Sequence, residues 1–134
     1  MTLQVELVSP EQILFSGEAE MVICRTTDGE IAFLTGHAPF VGALGIGPVR
    51  IRAVGGEDQL AAVHGGFVEV SHDRVTILSD VAEMAHEIDL LRAQQSKDEA
   101  EAKLRETHDA DCEAQLRRAH VRIELAQDRV HQGR

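Results

Sequence analysis

An α+β chain, an N-terminal β-sandwich followed by a C-terminal antiparallel two-helix hairpin, is what the sequence predicts, on three observations. All three prolines (Pro10, Pro39, Pro48) and ten of the eleven glycines precede residue 85. Apolar residues alternate with polar ones before that point. After it they recur every three to four residues. Glycine and proline punctuate turns and cost about 1 and about 3 kcal/mol inside helices, so the first part reads as short elements and the second as long uninterrupted ones. Domains are expected at 1–84 and 85–134, joined near residues 82–86.

The strands come first. Leu3, Val5 and Leu7 alternate with Gln4 and Glu6, and Val49, Ile51 and Ala53 alternate with Arg50 and Arg52, the period-two signature of half-buried strands. Similar runs at 21–26, 31–34, 60–64, 66–71 and 75–79 are separated by Asp28-Gly29, residues 55–58, Gly65-Gly66 and His72-Asp73, all tolerant of positive φ. Gly45-Ile46-Gly47-Pro48 begins like a dinucleotide loop but lacks the third glycine and a following helix, so it also reads as a turn. Even spacing of short strands predicts a sandwich or barrel.

The helices follow. Leu90, Ala93, Ala100 and Leu104 share one stripe, and Leu116, Ala119, Ile123, Ala126 and Val130 form a second. Between them Thr107, His108 and Asp109 are poor helix formers and N-cap candidates, so the chain reverses there. Alanine-rich stripes bury little area, at roughly 25 cal/mol per Å², and a hairpin sealed by them is marginal alone and able to dock or open.

Composition excludes several functions. A formal charge of −10 repels nucleic acid. No apolar run approaches the ~20 residues of a membrane span, and residues 1–12 carry neither a basic nor a long apolar region, so a cytosolic or peripheral protein is expected. Cys24 and Cys112 lack paired spacing and are expected to be reduced, Cys24 as a core residue and Cys112 exposed at the entrance of the second helix. There is no GxxxxGK[ST] loop, no GxSxG elbow to accompany His64-Gly65-Gly66, and no metal-ligand spacing among the seven histidines, which read as surface or turn residues. No catalytic residue or metal site is assigned, and binding or regulation becomes the default.

One constellation carries chemistry. Glu83 precedes the run 88–93, in which Ile88 and Arg92 lie one turn apart with Asp89 and Ala93 beside them, and Arg118 and Arg122 are spaced alike on the second helix. Two guanidiniums suit a phosphate chain, a carboxylate accepts from an exocyclic amine, and Ile88 and Ala93 offer apolar contact to a flat ring. Surface salt bridges are the plainer reading of the same residues. Likewise Arg117, Arg118, Arg122, Arg129 and Arg134 outweigh Glu124 and Asp128, which is either a solvated face or a basic surface for an anionic partner.

The order of strands then hairpin, with Leu34-Thr35-Gly36-His37-Ala38-Pro39, His64-Gly65-Gly66-Phe67-Val68-Glu69-Val70 and Leu78-Ser79-Asp80-Val81-Ala82-Glu83 in sequence, resembles the epsilon subunit of F-type ATP synthase over essentially the whole chain. The resemblance implies a non-catalytic rotor subunit at the cytoplasmic face of the cell membrane, coupling ion translocation to ATP synthesis. Its sandwich would bind the gamma subunit and rest on the c-ring. Its mobile hairpin would restrain ATP hydrolysis when extended toward the catalytic beta subunits, which the basic second helix would meet. His37, in the Gly-His-Ala-Pro turn, is then a c-ring contact or simply a loop-stabilising residue.

The run Ile88-Asp89-Leu90-Leu91-Arg92-Ala93 also matches the I/L-D-x-x-R-A motif of epsilon subunits that bind ATP. The resemblance carries over Ile88, Asp89, Arg92 and Ala93, with Glu83 upstream and Arg118 and Arg122 as the second-helix arginines. No cofactor is obligatory, and ATP would be a regulatory ligand. Where such relatives carry an arginine seven residues beyond Arg92, this chain has Glu99, whose charge opposes phosphate. The alternative is a stand-alone ATP-sensing module. A hydrolase lacks a nucleophile constellation.

Overall fold

The structure is a computed structural model that describes residues 1–107 and 109–132, with side chains described as far as Gln127 apart from His108. Strands β1 (Leu3–Val8), β2 (Ile13–Thr26), β3 (Gly29–Leu34), β4 (Phe40–Ala53), β5 (Asp58–Ser71), β6 (Arg74–Leu78) and β7 (Ala82–Met84) are followed by a 3-10 turn (Ala85–Glu87) and helices α1 (Leu90–Glu106) and α2 (Ala110–Gln132). Hydrogen bonding runs β1-β6-β5-β4-β2-β3, and β2 also pairs β1, so five strands close a circuit, with β3 beside β2 and β7 beside β5. The β1–β6 ladder is parallel and the others antiparallel. Closure leaves few long edges exposed for unwanted pairing.

Two expected turns are strand instead, and one device explains both. Gly45-Ile46-Gly47-Pro48 lies inside β4, and Gly65-Gly66 lies inside β5. Val63 and Val49 face the sandwich core, and so do Val68 and Leu44, although the parity changes along each strand. The pleat therefore inverts between them, which lets one 14-residue strand serve both layers. Gly65 and Gly66 supply the inversion with φ of +90° and +127°. A Cβ on Gly66 would sit 2.0 Å from the Leu78 carbonyl oxygen, so only glycine lets β6 pass there. Pro48 is tolerated because the β2–β4 register shifts between Ile23 and Thr26, leaving no regular ladder for its missing N–H. The β5–β6 hairpin turns at His72-Asp73, with φ of 52° and 59°, the two left-handed residues that a tight β-hairpin requires.

Asp89 caps α1, its Oδ1 accepting from the Arg92 backbone N–H at 3.1 Å, and Asp109 receives the Asp111 N–H at 2.9 Å at the start of α2. His108 lies outside the described residues. Ala93 and Ala100 of α1 are buried, as the stripe predicts, and α1 packs on α2. Helix α2 carries more than its expected stripe. Ala119 and Ala126 are fully buried, but so are Val121 and Leu125, which meet the outer face of β4 and β5 through Leu60, Ala62 and Ile46, with Ala85 and Ile88 beside them. This cluster is separate from the sandwich core. Val130, Arg129 and Arg134 fall outside the described side chains. Cys24 and Cys112 are both free. Cys24 sits in the core as expected, where burial, with Glu30 nearby, pushes its thiol up to about 11. Cys112, expected to be exposed, is buried, although Ala110, Asp111 and Glu113 around it are exposed.

Candidate functional site

The junction between sandwich and hairpin holds a cleft of about 380 Å³. Each wall comes from a different element: Glu83 from β7, Glu87 from the 3-10 turn, Asp89, Arg92 and Ala93 from the start of α1, and Arg122 from α2. Ile88 and Ser96 complete it. Six of the seven candidate residues thus line one cavity. Arg118 is half-buried on α2 and does not line it, because one helical turn carries it toward the hairpin's far end. Glu99 is exposed on α1 and is also absent from the lining. Glu87 and Ser96 were missed. Ser96 lies four residues beyond Arg92, a spacing that could have found it.

The floor is apolar and the rim charged. Ile88 and Ala93 are 4% and 3% exposed, whereas Asp89 and Arg92 are exposed. Arg122 donates through Nε to Oε1 of Glu83, the one ion pair joining hairpin to sandwich among the described residues. Nε2 of His64, on β5, approaches the same oxygen at 3.7 Å. His64 beside it and the Arg122 guanidinium hold the Glu83 carboxyl below the usual carboxylate range, against the opposing effect of burial. His64 was expected at a surface or turn. Its side chain is instead 2% exposed, because residues 60, 62 and 64 of β5 share the face that α2 covers.

His37 packs edge-on against Phe33, ring centroids 4.9 Å apart, and its Nδ1 lies 2.7 Å from the Ala38 carbonyl. Acids outnumber cations in the cleft lining: two guanidiniums, Arg92 and Arg122, face the three carboxylates of Glu83, Glu87 and Asp89. No metal-binding group of His, Cys, Asp and Glu is found among the described residues.

Residues 2–85 match the profile of the ATP synthase delta/epsilon chain β-sandwich domain. The ATP synthase epsilon chain of Streptomyces griseus is 45% identical over 121 residues, 90% of this chain and 92% of its own. The chain belongs to the ATP synthase epsilon family. Over the helices too the alignment holds: the epsilon chain of Shouchella clausii is 39% identical over 134 aligned positions, 98% of each chain. A chain of the Euglena gracilis mitochondrial ATP synthase OSCP/F1/c-ring structure shares the fold, with a TM-score of 0.78 at 24% identity over 97% of this chain and 82% of that one. The matched segment ends at residue 85, and the cleft, lined from Glu83 to Ser96 and by Arg122, lies where it gives way to the helices. No described helix is long and apolar enough to cross a membrane.

Proposed function

We propose that this epsilon subunit is a non-catalytic rotor component of the central stalk, whose hairpin docks on the sandwich or extends to restrain ATP hydrolysis, with ATP in the junction cleft favouring the docked form. The observation that carries this reading is the nature of the junction. The hairpin is fastened by a small cluster around Val121 and Leu125 and one ion pair, and the cleft sits across the seam that must part. A ligand that bridges both sides stabilises the closed state in proportion to its occupancy. The cleft's volume falls within the range of about 300–1,000 Å³ usual for small-molecule sites. Ile88 and Ala93 form the apolar wall for a base, Asp89 the acceptor for an exocyclic amine, and Arg92 and Arg122 the phosphate contacts.

The sandwich supplies the partner faces. Phe67, Leu78 and Ile13 are 60%, 52% and 64% exposed and lie in one cross-strand row through Val8, an apolar surface suited to the gamma subunit. The His37 loop, with Ala38 and Pro39 exposed, suits the c-ring. Exposed Arg117 and half-buried Arg118 suit acidic surfaces of the beta subunits. The subunit is then peripheral, at the cytoplasmic face of the membrane. Reconstitution into an epsilon-depleted enzyme, with distance labels at Ser16→Cys and Gln127→Cys, tests the scheme. ATP should shorten the distance and the extended form should hydrolyse ATP more slowly. A distance unmoved by ATP removes the switch, and absent gamma binding removes the rotor role.

A stand-alone ATP sensor would use the same cleft, lined by residues of β7, the 3-10 turn, α1 and α2. Calorimetry on the isolated chain, with Arg122→Ala abolishing ATP binding, would establish the site without deciding the assembly.

A further inference from the structure

A buried imidazole with neither ring nitrogen hydrogen-bonded is unusual, since buried polar side-chain atoms almost always find a partner. His64 is such a residue among those described. It lies within ion-pair reach of Glu83 but beyond hydrogen-bond distance. The contested atom is Oε1 of Glu83, to which Arg122 donates and toward which His64 Nε2 points. Two groups thus compete for one acceptor, and imidazole is the one whose charge changes between about pH 5 and 8.

We infer that His64 is a positioning residue that decides by its protonation whether Arg122 is held by Glu83 or offered to the cleft. With the imidazole neutral, Arg122 is the one charged donor to Glu83 among the described residues, and a phosphate must displace a carboxylate to reach it. Once protonated, His64 donates to Glu83 and repels the adjacent guanidinium. Both effects release Arg122 to an anionic ligand. The groups around the imidazole are few. Glu83 of β7 faces it with a negative charge and Arg122 of α2 lies on the same carboxylate with a positive one. Glu87 of the 3-10 turn and Asp89 and Arg92 of α1 line the cleft beyond, and β4 contributes Ile46, which does not titrate. The consequence for the ligand rests on the nucleotide reading of the cleft. The partner exchange does not.

Two measurements on the full chain separate them. The first follows the Arg122 Nε–H resonance by NMR, without nucleotide, while His64 is titrated through its own ring signals. The exchange requires the Arg122 signal to move with the His64 midpoint in the native chain and to stay fixed in His64→Gln. An Arg122 signal indifferent to His64 overturns the inference. The second compares ATP dissociation constants at about pH 6 and about pH 8. The native chain should gain about tenfold in affinity at the lower pH relative to His64→Gln, the worth of one charge-assisted hydrogen bond. The ratio between the two proteins cancels protonation of ATP itself. Equal pH dependence in both proteins overturns the gating. Arg122 exchange without any ATP binding supports the switch and overturns the nucleotide reading.

Discussion

The sandwich core and the hairpin junction are built from different materials. The core is closed by a circuit of hydrogen-bonded strands and filled with Leu, Val, Ile and Phe33, many without any exposed surface. The junction is filled by alanines with Val121, Leu125, Ile88 and Leu60, and is tied by Arg122 and Glu83. Large side chains bury about 1.5–3 kcal/mol each, and alanines far less. Local opening follows such contrasts, so the hairpin is the part expected to leave while the sandwich remains folded.

The sharpest way to break the contrast is Gly66→Ala. It places a Cβ against the Leu78 carbonyl at a φ of +127°, with no flexible side chain able to yield. A loss of about 4 kcal/mol or more is expected, and both regions should melt together because the hairpin docks on strands that no longer cross correctly. A thermal melt that leaves the sandwich folded would refute the role given to that glycine. Next in size, Leu125→Ala should cost about 2–5 kcal/mol, nearly all of it at the junction. Hydrogen exchange reads the difference directly: α2 amides lose protection while those of β1 and β6 keep theirs. Equal losses in both would mean that the two clusters are one cooperative unit.

Much of this contrast was legible in the chain. The near absence of glycine and the absence of proline after residue 85 announced the hairpin, and alternation in β1 and at residues 49–53 of β4 announced the strands. The glycines within β4 and β5 misled, because a residue that permits a turn also permits an inverted pleat, and only the neighbouring strand distinguishes them. The short β7 was invisible: Ala82–Met84 has no alternation of its own and is strand because β5 pairs with it. In α2, one stripe was read where the buried surface is wider, since Val121 and Leu125 lie off the expected stripe and join Ala126 in the cluster against the sheet, while Ala119 is buried outside that cluster. At the site, Ile88, Asp89, Arg92 and Ala93 do line one cleft, but not through the helical spacing that suggested it: α1 begins at Leu90, and Ile88 and Asp89 are extended residues leading into it, with Asp89 as its cap. Arg118 and Arg122 share a spacing but not a partner, because Glu83 is reached from only one of them.

Acid should act on the junction through Glu83. Its carboxyl is held below the usual range when folded, so the stabilisation is fully present above the ordinary carboxylate pKa and is lost as the pH falls through the depressed value. Glu83→Gln should weaken docking by about 1–2 kcal/mol at neutral pH. It should also remove the hairpin-specific loss of protection that acid is expected to cause in the native chain. An unchanged acid profile in the variant would move the effect to another carboxylate.

The smallest effect, and the most useful control, is Asp58→Asn. Asp58 accepts from Arg50 at 2.6 Å and Arg52 at 3.3 Å. Burial raises its carboxyl, but the two guanidiniums outweigh it and the net shift is downward. On charge chemistry alone it resembles Glu83. It differs in what it joins, since β4 and β5 are already paired residue by residue from Phe40 to Arg52. Its two arginines are also 37% and 44% exposed, where water and salt screen the pair. The loss should be below about 1 kcal/mol, shrink further in salt, and leave hairpin protection untouched. If Asp58→Asn loosened α2 as much as Glu83→Gln does, the charge would be acting through the whole molecule, and the division between a fixed sandwich and a releasable hairpin would fail.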